Sequence, residues 1–156
     1  MSMADLERAL ALMATRPEPA AFVGARAELV VLTAERRLGL RLPPTYRRFL
    51  LQLGAGNFGS AEIYGVIDID LERSSAPDAV WVTLLARERS GLPADLVVIG
   101  IAGDEVTCLR VLAKAEEGPV IVINTGPGPE AGTRTLAPDF GAHLLSRVER
   151  ELGPES

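Results

Sequence analysis

The feature that most constrains this chain is a change in hydrophobic period partway along it. Up to about residue 54 the apolar side chains recur every three or four residues, as on helices with one buried face. Leu6, Leu10 and Met13 mark a first helix over residues 3–14, and Pro17 and Pro19 follow it as a stiff connector. Val31, Leu32, Glu35 and Leu38 fall in register on a second helix over residues 25–38, with Gly39 placed as a left-handed cap. Leu40 to Leu42 is expected to be extended, because a residue before proline avoids the helical region. Pro43 and Pro44 then open a third helix, where their missing N–H groups cost nothing, and Tyr46, Phe49, Leu50 and Leu53 form its buried stripe before Gly54.

Beyond a loop at 54–60 the pattern becomes strand-like. Ile67, Ile69 and Leu71 alternate with Asp68, Asp70 and Glu72, the signature of a half-buried strand. Ser75 and Asp78 read as a capping box for a fourth helix that turns Val80, Trp81, Leu84 and Leu85 inward and stops at Gly91 and Pro93. Residues 96–101 and 106–112 flank a hairpin loop, 120–123 is a short apolar run, and 125–132 is a Gly- and Pro-rich loop. A last helix opens near Pro138 and buries Phe140, Leu144, Val148 and Leu152. Helices first, then a mainly antiparallel sheet, then a closing helix predict an α+β domain over 1–156, with residues 1–24 as a helix and connector and 25–153 as the core. Tyr46, Phe49, Leu50, Trp81, Phe140 and Leu144 are expected to share that core.

The stretch Glu35-x-x-Leu38-Gly39-x-x-Leu42-Pro43-x-x-Tyr46-x-x-Phe49-Leu50-x-x-x-Gly54-x-Gly56 resembles the opening motif of the SUKH superfamily, the Smi/Knr-type domains. Leu96 to Ile101, Gly103-Asp104, Pro119-Val120 and Phe140 with Leu144-Leu145 resemble its later strands and closing helix. Two positions depart from the usual pattern: Asn57 is displaced behind Gly54-Ala55-Gly56, and Thr45 stands where an acidic residue often precedes the tyrosine. The resemblance implies a non-catalytic binding module. Bacterial members are typically immunity proteins that neutralise a toxin domain, often a nuclease, and fungal members regulate cell-wall synthesis. The motif residues have a plain structural explanation as caps, helix start and buried stripe, so they identify the fold and say little about the binding surface.

Charge and residue chemistry exclude several functions. The chain has a formal net charge of −5, which opposes nucleic-acid binding through the whole surface and suits a basic partner. Its one cysteine, Cys108, leaves no internal disulfide, and with an acidic start unlike a signal peptide it points to the cytoplasm. No run of apolar residues is long enough to span a bilayer. One Cys and one His are too few for a zinc site, and no cofactor is expected. Asp68-x-Asp70-x-Glu72 resembles the start of a calcium loop, but Arg73 and Ala79 stand where glycine and a bidentate glutamate are needed. Cys108 and His143 lack a third, orienting group; Cys108 reads as a buried hydrophobe and His143 as lying at the edge of the last helix's apolar stripe. The prolines at 127 and 129 remove the N–H donors a phosphate cradle needs.

Candidate partner-binding residues remain. Asp68, Asp70 and Glu72 would line one face of their strand, and Asp104 and Glu105 at the hairpin tip would extend the same negative surface toward a toxin with a basic cleft. Phe58 is read as core, with an exposed aromatic anchor as the alternative. Arg36, Arg37, Arg41, Arg47 and Arg48 read as a solvated face or a local anionic contact. A regulatory scaffold, or an enzyme using carboxylates, are the competing functions, and a free monomer or weak homo-oligomer is expected.

Overall fold

The computed structural model describes residues 2–67, 78–129 and 131–153. Helix α1 (Ser2–Thr15) buries Leu6, Ala9 and Met13 and packs along the C-terminal helix α5 (Phe140–Leu152). Strand β1 (Ala20–Phe22) follows directly, so the stretch behind Pro17 is not merely a connector. Helix α2 (Glu28–Leu38) buries Val31, Ala34 and Leu38, and Gly39 caps it in the left-handed region. Leu32 is exposed, not inward as its spacing predicted, because Ala34 takes the inner position. Helix α3 (Pro44–Gln52) begins at the second proline and buries Thr45, Tyr46, Phe49 and Leu50.

The expected loop at 54–60 instead holds the central strand of a three-stranded sheet. Strands β2 (Gly56–Phe58) and β3 (Ala61–Ile63) form an antiparallel hairpin, and β1 pairs antiparallel with the outer side of β2. Three-residue strands are too short for alternation to show in a sequence. The acidic stretch Asp68, Asp70, Glu72 and the Ser75 of the expected capping box lie outside the described residues. Helix α4 (Ala79–Ser90) is capped by Asp78 itself, whose carboxylate accepts the Trp81 N–H at 3.0 Å. This shifts the cap by three residues from the predicted box and turns the helix accordingly. Ala79, Val80, Val82 and Thr83 are buried, while Trp81, Leu84 and Leu85 are only partly so.

The second sheet is β4 (Leu96–Ala102), β5 (Glu105–Arg110), β6 (Val120–Asn124) and β7 (Gly132–Ala137), antiparallel throughout and in chain order. β7 had no counterpart in the expected element list, since it is exposed along almost its whole length and carries no apolar alternation. The Tyr64 N–H donates to the Ile99 carbonyl at 2.8 Å and ties the end of the hairpin to β4. Between the layers sits an aromatic cluster: Tyr46 meets Phe140 with ring centroids 4.9 Å apart, and Phe49 meets Phe140 at 5.4 Å. Each such ring contributes roughly 1.5–3 kcal/mol by burial. Leu50 and Leu144 join the same core, with Trp81 packed at its margin. The architecture is α+β, with N-terminal helices, antiparallel sheets and a closing helix.

Candidate functional site

Helix α5 carries two stripes. Phe140, Leu144 and Val148 enter the core and anchor the helix. His143, Ser146, Arg147 and Arg150 follow at i, i+3, i+4 and i+7 on the neighbouring face, where they overlook the second sheet. Across that sheet the register aligns Thr107 with Val122 and Val122 with Arg134, so all three project to one side. Glu105 and Leu136, two residues along their strands, share that side. Together helix and sheet enclose a groove of about 340 Å³.

The groove is basic. Among the described residues Arg134, Arg147 and Arg150 line it with one carboxylate, Glu105. Arg134 donates to Glu105 at 2.7 Å, with both side chains about half exposed. Burial, then the neighbouring Arg150, pulls the Arg147 guanidinium below its ordinary value. Arg147 also donates to the Ser60 carbonyl at 3.4 Å, which links the helix to the β2–β3 turn. His143 at the groove's inner end is 2% exposed, so it belongs to the interior and not to the edge of the apolar stripe. Burial, reinforced by Arg147 and Arg150, pushes its imidazole down to about 4. The ring is therefore neutral at physiological pH and adds no charge to the groove.

The residues singled out from the sequence scatter across the molecule. Glu105 lies in the groove, paired with Arg134, and Asp104 is exposed beside it at the β4–β5 turn. Asp68, Asp70 and Glu72 lie outside the described residues. Phe58 is 1% exposed and belongs to the core cluster, so it is not an exposed anchor. Arg47 pairs with Glu28 and Glu35, and Arg48 with Glu7, while Arg36, Arg37 and Arg41 are exposed. Cys108 follows Thr107 on β5 and so points to the sheet face opposite the groove that His143 lines. Burial pushes its thiol up to about 12. Neither group is tuned for nucleophilic catalysis near neutral pH. Among the described residues no group of three His, Cys, Asp or Glu side chains is placed to hold a metal ion.

The sequence carries a signal for the groove that the apolar periodicity does not show. His143-x-x-Ser146-Arg147-x-x-Arg150 is a second helical stripe, but a polar stripe beside an apolar one looks like solvent-facing surface until a sheet is placed opposite.

The motif residues build the frame. The Glu35 carboxylate accepts the Leu42 N–H at 2.8 Å and so pins the α2–α3 connection; the same carboxylate pairs with Arg47 at 3.6 Å. Leu38, Leu42, Tyr46, Phe49 and Leu50 are buried, and Pro43 occupies the cap position of α3. Gly54 and Gly56 both have positive φ where the chain crosses close over β1 and its following loop. Where relatives place an acid before the tyrosine, Thr45 takes one from a distance: its N–H and hydroxyl donate to the Glu117 carboxylate at 2.9 and 2.7 Å. A carboxylate thus still sits at the N-terminus of α3, where the helix dipole favours it.

These geometries match a known frame. The SUKH_5 family, described as SMI1-KNR4 cell-wall, matches residues 7–148. A crystal structure of a protein from Pseudomonas syringae pv. tomato is similar at a TM-score of 0.57 and 23% identity, covering 74% of this chain and 81% of that one. That likeness is one of fold. No curated protein matches the chain. With the match running from α1 into α5, the chain belongs to the SUKH_5, SMI1-KNR4 family.

Proposed function

We propose that this chain is an immunity-type binding module that neutralises a toxin domain by covering its working surface, with no chemistry of its own. Family membership over residues 7–148 is the observation that carries the reading. The withdrawn thiol of Cys108 and the neutral, buried His143 support it, because they leave the chain's one Cys–His combination inert. The reading takes 1–156 as one binding unit, a monomer or weak homo-oligomer when free, in the cytoplasm. Among the described residues no helix is long and apolar enough to cross a membrane. The net charge of −5 would steer a basic toxin toward it, with Asp68, Asp70, Glu72, Asp104 and Glu105 as candidate contacts.

The test is to look for a toxin domain encoded by a neighbouring gene and to co-express it with this chain. Rescue of growth together with a stoichiometric complex is expected. Growth arrest with no complex formed removes the immunity reading. A second reading, a regulatory adaptor without a toxin, is favoured by the cell-wall description of the matching family. A deletion strain that becomes sensitive to wall-active agents, with no toxin to neutralise, is its outcome.

A further inference from the structure

We propose that the groove between α5 and the second sheet is a docking site for an acidic segment of a protein partner. The proposal rests on the binding-module reading and names a surface and a chemistry for it.

The first support is an imbalance that the fold does not require. Helix α5 is anchored by Phe140, Leu144 and Val148, so the exposed Arg150 is not needed for its packing, while the part-buried Arg147 also ties the helix to Ser60. Elsewhere among the described residues Arg47 meets Glu28 and Glu35, Arg48 meets Glu7 and Arg110 meets Asp95, while Arg36, Arg37 and Arg41 stand exposed in solvent and do not line this groove. Among the described residues three guanidiniums line the groove with one carboxylate, Glu105; Glu151, outside the lining, partly offsets Arg147, and Arg150 makes no ion pair. Clustered like charges repel, the more so where Arg147 is half withdrawn from water. On a chain of net charge −5, the positive charge left over in this groove is a feature that an incoming carboxylate would relieve.

The second support is shape. The floor is apolar, formed by Val122 and the half-exposed Leu136, and the arginines stand around it. A volume of about 340 Å³ holds a few side chains of a peptide and not a folded domain. Guanidinium forks are matched to carboxylates by two parallel hydrogen bonds. β7 is the end strand of its sheet and is exposed, and among the described residues no strand pairs with its outer edge. An extended segment laid along that edge gains backbone hydrogen bonds and places alternate side chains beside Arg134.

The same observations separate a peptide from a nucleic acid. No Phe, Tyr or Trp lines the groove, so bases have no stacking platform. The surrounding negative charge repels a long polyanion more strongly than a short segment with a few carboxylates.

The experiment uses the full chain and three fluorescein-labelled probes: an octapeptide alternating Glu and Val, its Gln–Val counterpart, and an oligothymidine octamer. Anisotropy titrations at low and moderate salt are expected to show saturable binding of the Glu peptide only. R147Q/R150Q weakens it by about tenfold, the scale of two lost charge pairs, while R36Q/R37Q on exposed α2 stays within about twofold. Amide shifts of Thr107, Val122 and Arg134 on titration locate the probe. If R147Q/R150Q does not retain its thermal melt, R150Q alone, on an exposed side chain, carries the comparison with an expected loss of about threefold. No saturation, equal binding of the Gln peptide or the oligonucleotide, or equal loss in R36Q/R37Q overturns the proposal. A toxin partner held at full affinity by folded R147Q/R150Q overturns the groove and leaves the binding-module reading in place. A wild-type chain that binds the Glu peptide but no partner protein removes that reading instead.

Discussion

The Tyr46 hydroxyl donates to the backbone carbonyl of Tyr64 at 2.7 Å, from the buried stripe of α3 to the segment just behind β3. Burial, reinforced by Asp78, raises the phenol's pKa, so it stays protonated and keeps donating. The motif tyrosine is therefore a tie between the helical layer and the hairpin as well as a core ring. Tyr46→Phe keeps the ring and leaves the Tyr64 carbonyl without this donor, at an expected cost of about 1–3 kcal/mol. For a chain of this size the melting temperature falls by roughly 2–4 °C per kcal/mol. A thermal melt that matches wild type would show that the bond contributes nothing net.

Two motif glycines are predicted to differ sharply in tolerance. At Gly56 φ is +145°, and an added Cβ would meet the Ala21 carbonyl and the Phe22 Cα of the paired strand. At Gly39 φ is +74°, with nothing within 4 Å of an added Cβ. Gly39→Ala pays only the left-handed penalty, about 1–2 kcal/mol. Gly56→Ala must also push β1 away and is expected to cost more than about 3 kcal/mol or to abolish folding. Urea titrations of the two variants provide the comparison, and equal midpoints would contradict it.

How much was legible follows from period and length. Tyr46, Phe49 and Leu50 recur over one turn of α3, and Phe140, Leu144 and Val148 over two turns of α5, and all are buried where the spacing put them. β4, β5 and β6 are apolar runs between turn residues, and their hairpin at Gly103-Asp104 stands as expected. β1, β2 and β3 span three residues each, so only pairing with one another defines them. β7 reads Gly-Thr-Arg-Thr-Leu-Ala, an exposed edge whose strand character comes from β6 and not from its own pattern. The groove was hidden for a related reason. Arg147 and Arg134 are separated by a turn and a helix start, and nothing in their local spacing says that α5 lies across the sheet.

Cys108 is predicted to react only through unfolding. It is fully buried on β5, and its thiol is pushed up to about 12, so little thiolate exists near neutral pH. A chromogenic disulfide reagent should label the folded chain slowly and the denatured chain at once. Its native rate should rise in Gly39→Ala in step with the lost stability, since the exposed population grows about tenfold per 1.4 kcal/mol. Fast stoichiometric labelling of the folded protein would place the thiol on an accessible path that the packing does not provide.

His143 makes stability depend on pH in a defined window. Its folded value is about 4, against about 6.5 in an unfolded chain, with burial as the main cause and Arg147 and Arg150 adding to it. The groups facing it across the groove are Arg134, which repels the imidazolium, and Glu105, which is already paired with Arg134. Between the two values the unfolded chain binds a proton that the folded chain refuses, so stability falls as pH drops through this range. Above about 6.5 both states are neutral and the stabilisation is fully present; near 4 it is gone. The expected loss from pH 7 to pH 5 is about 2 kcal/mol, the free energy of excluding one proton over that interval. Staying above pH 5 keeps the lowered carboxylates of Glu28 and Glu151 ionised. His143→Gln should flatten the profile between pH 7 and 5 while leaving the acid limb below it. Because His143 is the chain's only histidine, its imidazole proton resonance can be followed without assignment. A midpoint near 4 is expected in the folded protein; a midpoint near 6.5, or a pH profile unchanged by the substitution, would mean that the ring is open to water.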